Sequence, residues 1–177
     1  MPTFRPASPA DLDAAFALVS DAIAAMRACG IEQWDEIYPT RSHLAADIGA
    51  ERLHLLLDDG ILVAIGCLDD EQPAPYAEVA WTLAGPVAVA HRVAVAPTAQ
   101  GRGYGALLMQ GLEELAWAQG YRCIRLDAFC ANPGACRLYE KLGYRRAGRV
   151  RFRKGPFSVY EKAAPDTATP PTTESDR

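Results

Sequence analysis

The sequence predicts a single domain of the α/β class, on three observations. The chain has 177 residues, of which 50% are hydrophobic, and this is enough for one domain with a sizeable core. Short apolar or β-branched runs alternate with segments whose apolar residues recur at helical spacing. Finally, a β-branched run ends at Pro97, and a glycine-rich loop then leads directly into an apolar helix. Strand, loop and helix in this order are typical of an α/β ligand site.

The N-terminal part predicts a strand, two helices and a hairpin. Ser8 and Asp11 form a capping-box pattern with Pro9 at the first helical position, so a helix should begin there. The turn sequence Asp58-Asp59-Gly60 separates two apolar runs, as in a β-hairpin. The predicted ranges are a strand at 3–7, helices at 10–28 and 41–50, and hairpin strands at 52–57 and 61–68.

The remaining chain predicts five strands and two helices. Asn132 can cap a helix that has Pro133 in its first turn, and Gly143 can end that helix. The predicted strands are 78–83 (within a loose segment at 70–88), 91–95, 123–129, 147–152 and 157–162, the last two joined by a turn at 154–156. The Pro- and Thr-rich end, 164–177, cannot bury a core and is predicted to be disordered.

Composition argues against several classes of function. The net charge of −4 does not favour nucleic acid as a partner. No apolar run approaches the roughly 20 residues of a membrane span, and no signal-peptide pattern begins the sequence. The five scattered cysteines contain no C-x-x-C pair, so we expect reduced thiols, no metal site and a cytoplasmic location.

The loop Gln100–Gly105 predicts an anion site, because backbone N–H groups and the positive end of a helix would face the ligand. A Walker-type loop needs Gly-Lys-Ser/Thr, which is missing here. A dinucleotide fingerprint needs its third glycine one residue further along. The Gln-Gly-Arg-Gly-Tyr-Gly sequence instead resembles the Gln/Arg-x-x-Gly-x-Gly/Ala loop of the GNAT-type N-acetyltransferases.

A second segment supports this resemblance. Asn132–Tyr144 is similar to the family pattern N-x-x-A-x-x-L-Y-x-K-L-G-F/Y. The two signatures occur in the family's order, and the resemblance covers roughly residues 3–162. It implies the GNAT fold over 1–163: a central mixed, mostly antiparallel sheet that splays at an acetyl-CoA cleft and is flanked by helices.

The resemblance also implies acetyl-CoA as cosubstrate, without a metal. The pantetheine arm would pair with the strand residues Val93, Ala94 and Val95. The pyrophosphate would lie on Gln100, Gly101, Arg102, Gly103, Tyr104 and Gly105. Arg102 either gives the phosphates a cation or is an exposed loop charge. Asn132 would contact pantetheine, cap the helix, or both.

For catalysis, Tyr139 is the candidate general acid, because the family's motif tyrosine often faces the thioester sulfur. Alternatively, its ring only packs on the sheet. His91 lies nine residues before Gln100, the offset of the glutamate base in histone-acetyltransferase members, and alternation places it on the face of Val93. Alternatively, it is a histidine satisfied within the sheet. Glu78 is the next candidate for the base, with water as a further alternative, and we also expect Glu78 on the acceptor side.

The link between the first two helices walls the acceptor pocket in this family. Here it carries Trp34 and Tyr38 among the carboxylates Glu32, Asp35 and Glu36, which suits a cation with an apolar body. Alternatively, the two aromatic rings close the core.

These expectations predict an N-acetyltransferase that moves acetyl from acetyl-CoA to a primary amine, on a small molecule or peptide, by direct attack in a ternary complex. A homodimer fits the family's habit, and neither nucleic acid nor a membrane is expected as a partner. The alternatives are a non-catalytic acyl-CoA-binding or sensing module, and an interaction protein whose tail is the ligand segment.

Overall fold

A computed structural model describes residues 1–165 and shows a seven-stranded sheet in the order β1-β2-β3-β4-β5-β7-β6. Neighbouring strands are antiparallel except β4 and β5, which are parallel. The strands are β1 (Thr3–Pro6), β2 (Leu53–Asp58), β3 (Ile61–Asp69), β4 (Val87–Val95), β5 (Cys123–Phe129), β6 (Arg145–Phe152) and β7 (Gly155–Ala163). The predicted disorder of the tail falls on residues that, from 166 onward, lie outside the described part.

Four α-helices of the described chain cover the sheet: α1 (Leu12–Ala28), α2 (Arg41–Gly49), α3 (Tyr104–Ala118) and α4 (Pro133–Lys141). One buried cluster, centred on Leu108 and Leu112 of α3, includes Tyr139 of α4. A second cluster joins Val19 of α1 and Leu44 of α2 to the sheet. The predicted mixed, mostly antiparallel sheet with flanking helices is therefore confirmed. No helix in residues 1–165 is long and apolar enough to cross a membrane.

Local sequence signals placed several boundaries correctly. The Ser8 N–H donates to Asp11 Oδ2 at 2.8 Å, which completes the predicted capping box. Asp59 and Gly60 both have positive φ, +47° and +77°, as a two-residue hairpin turn requires. The β6–β7 turn lies at Arg153 and Lys154, one residue earlier than predicted.

The predicted strand at 78–83 is wrong. A 3₁₀ helix occupies Ala74–Glu78, and the chain then runs irregularly to β4. The buried Glu161 carboxylate accepts hydrogen bonds from the N–H and hydroxyl of Thr82 and from the N–H of Leu83. These backbone donors are thus satisfied by a side chain from a distant strand, and they need no partner strand.

β4 begins at Val87, four residues before the predicted start, and contains a bulge. Its register with β3 shifts between Ile65 and Cys67, and Arg92 on the bulge has φ +49°. β4 pairs with β5 only at Val87–Val89, so the last six residues of β4 have no partner strand on that side among the described residues. The sheet is open at this point.

Gly111 on α3 is required by a close contact with β1. A Cβ atom at this position would lie within 2.8 Å of three carbons of the Phe4 ring. We expect Gly111→Ala to lower the free energy of unfolding by about 1–3 kcal/mol, since the ring must move in a packed interface. Gly49→Ala, where a Cβ meets nothing within 4 Å, should be neutral or stabilise by up to ~1 kcal/mol.

Urea denaturation of the two glycine variants measures both values. Equal stability of Gly111→Ala and the parent protein would contradict the close packing of β1 on α3.

Candidate active site

The first cavity, which we call the cofactor cleft, fills the gap between the diverging ends of β4 and β5. Its volume is about 600 Å³. The glycine loop, α1 and α4 all contribute lining residues. Of the residues predicted to bind cofactor, the cleft is lined by Val93, Ala94, Val95, Gln100, Gly101, Gly103, Tyr104, Gly105 and Asn132.

The glycine loop offers unpaired backbone donors. The N–H groups of Gly101, Arg102 and Gly103 have no backbone acceptor among residues 1–165, and they precede the first turn of α3. Gly101 and Gly103 have φ of +75° and +85°, and a Cβ at either position would meet nothing within 4 Å. The space is therefore open to a ligand, and donors at a helix N-terminus favour a phosphate there.

Arg102 does not line the cofactor cleft. Its guanidinium carbon lies 5.2 Å from the centre of the Tyr104 ring, and Arg102 is exposed. Two cations that the sequence analysis missed, Arg137 and Lys141 of α4, line the cleft instead. Their i, i+4 spacing, which places both on one helix face, was the available signal.

Asn132 caps α4 as predicted. Its Oδ1 accepts from the N–H of Ala135 at 3.2 Å, and its Nδ2 donates to Gln33 Oε1 at 3.0 Å. The second bond ties the start of α4 to the link between α1 and α2, and both residues line the cleft. The edge of β4 at Val93–Val95, which is unpaired towards β5, is the surface where an amide chain could add as a strand.

A second cavity of about 350 Å³, which we call the acceptor cavity, adjoins the cofactor cleft. Gln33, Trp34, Val93, Asp127 and Tyr139 line both, so the two spaces share a wall. Two adjoining cavities whose shared wall carries the ionisable side chains of Asp127 and Tyr139 are suited to bring two substrates together.

Tyr139 lies in this shared wall. Its ring packs between those of Tyr144 and Tyr160, with centroids 5.9 and 6.0 Å away. Burial raises the pKa of the Tyr139 hydroxyl well above its ordinary value, and the negative charge of Asp127 raises it further. The hydroxyl therefore keeps its proton at neutral pH and can donate it.

His91 lines the acceptor cavity, and its Nε2 lies 2.8 Å from Asp69 Oδ1. Burial acts to raise the pKa of Asp69, but the bonds from His91 and from the Glu71 N–H, with the charge of Arg52, leave that pKa lowered. Asp69 is therefore an ionised acceptor, which places the proton of neutral His91 on Nε2. Nδ1 keeps a lone pair that can accept a proton.

Asp127 is a site residue that the sequence analysis did not assign to catalysis. The Tyr76 hydroxyl donates to its Oδ2 at 2.8 Å. Burial raises the pKa of Asp127, while the Tyr76 bond and the charge of His91 oppose this rise. A lone carboxylate within the otherwise buried run of β5 was the signal, since unpaired acids are seldom buried.

Of the three residues predicted on the acceptor side, two line the cavities and one does not. Trp34 lines both cavities and Tyr38 lines the acceptor cavity. Glu78 is exposed at the end of the 3₁₀ helix and lines neither of them. Within residues 1–165, no group of three or more His, Cys, Asp or Glu side chains is placed to hold a metal ion.

Comparison with known proteins agrees with this site. The sequence profile of the Acetyltransferase (GNAT) family matches residues 19–144. A GNAT-family acetyltransferase from Streptococcus agalactiae is 25% identical with a TM-score of 0.82, covering 92% of this chain and 95% of that one. The Salmonella typhimurium protein yncA, solved with its cofactor acetyl-CoA, is 18% identical with a TM-score of 0.70, covering 97% and 99%.

The Escherichia coli ribosomal-protein-S18-alanine N-acetyltransferase is also similar in structure, at 20% identity and a TM-score of 0.68, covering 93% of this chain and 94% of that one. No curated protein sequence matches the chain. The fold, the cleft and the profile match together define an acyl-group transferase, and the chain belongs to the acetyltransferase (GNAT) family. It is an acetyltransferase whose cosubstrate is acetyl-CoA.

The glycine loop gives a direct test of cofactor binding. We expect Gly103→Ala to weaken acetyl-CoA binding at least tenfold, because the left-handed backbone is strained and the methyl group enters the phosphate space. Gly120→Ala is the matched control, since Gly120 has φ +87° and equally open surroundings but lies after α3, away from both cavities.

Calorimetric titration with acetyl-CoA measures the affinity, and thermal denaturation checks that both alanine variants lose similar stability. If Gly120→Ala also weakened acetyl-CoA binding, backbone strain alone would explain the loss of affinity. The result would contradict a phosphate site at the glycine loop.

Proposed function

We propose that this acetyltransferase moves the acetyl group of acetyl-CoA to a primary amine, by direct attack in a ternary complex. The observation that carries the proposal is the shared wall of the two cavities, where Asp127 and Tyr139 face both spaces. An amine in the acceptor cavity would thus lie beside the acyl end of a cofactor in the cleft. A small molecule or a peptide terminus can supply this primary amine.

The residues of the site have three roles in this reaction: they bind the diphosphate, orient the pantetheine arm and attract the acceptor. The N–H groups of Gly101 and Gly103 bind the diphosphate, and the edge of β4 at Val93–Val95 orients the pantetheine arm. When bound, acetyl-CoA supplies the thioester-activated acetyl group. Asp127 attracts the ammonium form of the acceptor into the shared wall.

Proton transfer completes the assignment. Most alkylamines are protonated at pH 7, since their pKa is about 10.4, so a proton must leave the nitrogen. His91 accepts that proton at Nδ1, directly or through water, while Asp69 stabilises the imidazolium formed. The C–S bond breaks as the C–N bond forms, and the Tyr139 hydroxyl holds a proton for the departing thiolate.

Thiol release from acetyl-CoA, measured over a panel of amines and peptides with a control lacking acceptor, tests the proposal. Acceptor-dependent release supports amine acetylation. Tight acetyl-CoA binding without release for any acceptor would favour the alternative, a non-catalytic sensing module. If deleting residues 164–177 abolished binding of a protein partner, the interaction-protein alternative would gain support.

We also propose a cytoplasmic location. All five cysteines are free, and Cys67 and Cys123 are fully buried, which is consistent with a reducing compartment. A homodimer remains a prediction from the family resemblance.

Tyr139→Phe should lose turnover by about 10²-fold or more while keeping acetyl-CoA affinity, because only the donated proton is removed. Steady-state kinetics and calorimetric titration measure the two quantities. Tyr144→Phe is the matched control, since its ring contacts Tyr139 but lines neither cavity. An equal loss in both variants would assign Tyr139 a packing role only.

The wild-type pH profile should show no basic limb from Tyr139 up to about pH 10, because burial raises its pKa above this range.

His91→Gln should lower kcat/KM by about 10²-fold near pH 7, and the deficit should shrink as pH rises towards the pKa of the amine, where free amine needs no base. His54→Gln, at a ring stacked on Phe4 away from both cavities, is the control. A pH–rate profile of His91→Gln that runs parallel to that of the parent would remove His91 as the base. If the kcat/KM deficit of Asp127→Asn shrinks as pH rises, the proton acceptor is Asp127.

A further inference from the structure

The link before α2 looks acidic in sequence, but the structure pairs its carboxylates with cations. Arg153 donates to both oxygens of Asp35, at 2.8 and 2.9 Å, and Lys154 Nζ lies 3.3 Å from Asp35 Oδ2. Lys154 Nζ also lies 3.7 Å from Glu32. Glu36 pairs with Arg27 on the exposed side of α1. None of the three acids lines the acceptor cavity, so they do not present negative charge to an acceptor.

The charged side chains that do line this cavity are mainly cationic. They are Arg92, Arg153 and Lys154, against the single carboxylate of Asp127. Asp127 lies in the wall shared with the cofactor cleft, whereas Arg153 and Lys154 lie in the β6–β7 turn. The cavity thus has one acidic end, where an amine would react, and cationic groups elsewhere.

Arg92 enters this cavity from a strained backbone. It occupies the β4 bulge with φ +49°, and its side chain is only 14% exposed. Its Nε lies 3.2 Å from the buried carboxylate of Asp47, and its guanidinium carbon lies 5.4 Å from the centre of the Tyr38 ring. An arginine held in a rarely populated conformation against a ligand cavity indicates a role in recognition.

The sheet register gives the distance along β7 between the level of Asp127 and the β6–β7 turn. Asp127 lies opposite Val159, and Gly155, where the turn meets β7, is four residues back along the same strand. At ~3.3 Å per residue, the turn lies about 13 Å from the level of Asp127. Lys154 reaches back to line the cavity. Amine and anion would therefore be separated by several bonds, along walls formed by Trp34 and Phe157.

We propose that the acceptor is an amine that carries a carboxylate at the far end of an apolar spacer. Its ammonium group faces Asp127, and its carboxylate meets Arg92 and Lys154. Lys154 suits this role because its ammonium has three donors, and Asp35 is already held by the two-pronged bond from Arg153. This inference rests on the proposed amine acetylation and names the substrate class of the same site.

Three acceptors that differ only in one terminal group test it: 6-aminohexanoate, 6-aminohexanamide and hexane-1,6-diamine. We expect kcat/KM for the carboxylate to exceed that for the amide by about tenfold or more, with the diamine lowest, since a charge-assisted bond replaces a neutral one. Lys154→Met should bring the carboxylate-to-amide ratio of kcat/KM close to one. Arg151→Met, at an exposed arginine of the same hairpin that lines neither cavity, should keep the ratio.

A preference for the diamine, or equal rates for the three compounds, would overturn the carboxylate site while leaving acetyl transfer to amines established. If none of the three turns over, calorimetric titration of each into the CoA-saturated protein decides the matter. Preferential binding of the carboxylate, lost in Lys154→Met, supports the site, and equal or diamine-selective binding overturns it. Failure of acetyl transfer itself is detected separately, because no compound of the wider amine panel would then cause thiol release from acetyl-CoA.

Discussion

The parallel pair β4 and β5 shares only three residue pairs, and both cavities depend on this short pairing. Parallel neighbours bonded along their full length would be covered by helices and leave no gap between the strands. Here the bulge at Arg92 turns the second half of β4 away from β5. The cofactor cleft fills the resulting space, and the N-terminus of α3 points its free N–H groups at one end of it.

The bulge is supported by a network of buried ion pairs. Asp47, only 1% exposed, lies 3.2 Å from Arg92 Nε and 3.3 Å from an Arg52 terminal nitrogen. Arg52 also approaches Asp69, the partner of His91. Since an unpaired buried carboxylate is strongly destabilising, these ion pairs fix one another's positions. The same network that holds the strained backbone therefore orients the candidate base.

Most of the fold was predictable because its signals are local. The capping box at Ser8, the Asp59-Gly60 turn and the Asn132 cap each depend on atoms within a few residues. The predicted strand at 78–83 was wrong for the opposite reason. Its backbone donors are taken by Glu161, about 80 residues further along the chain, and no nearby residue signals that contact.

The same contrast between local signals and distant contacts holds for the residues of the site. The glycine loop and Tyr139 belong to continuous motifs, and the sequence located them. The electrostatics of the acceptor cavity depend on pairs such as Asp35 with Arg153, 118 residues apart. In sequence, Asp35 predicts attraction of a cation, but Arg153 and Lys154 pair with it, and the cavity is lined by these two cations and not by Asp35. The field at a ligand site depends on which charged side chains line it and how they are paired, so the composition of a loop cannot determine it.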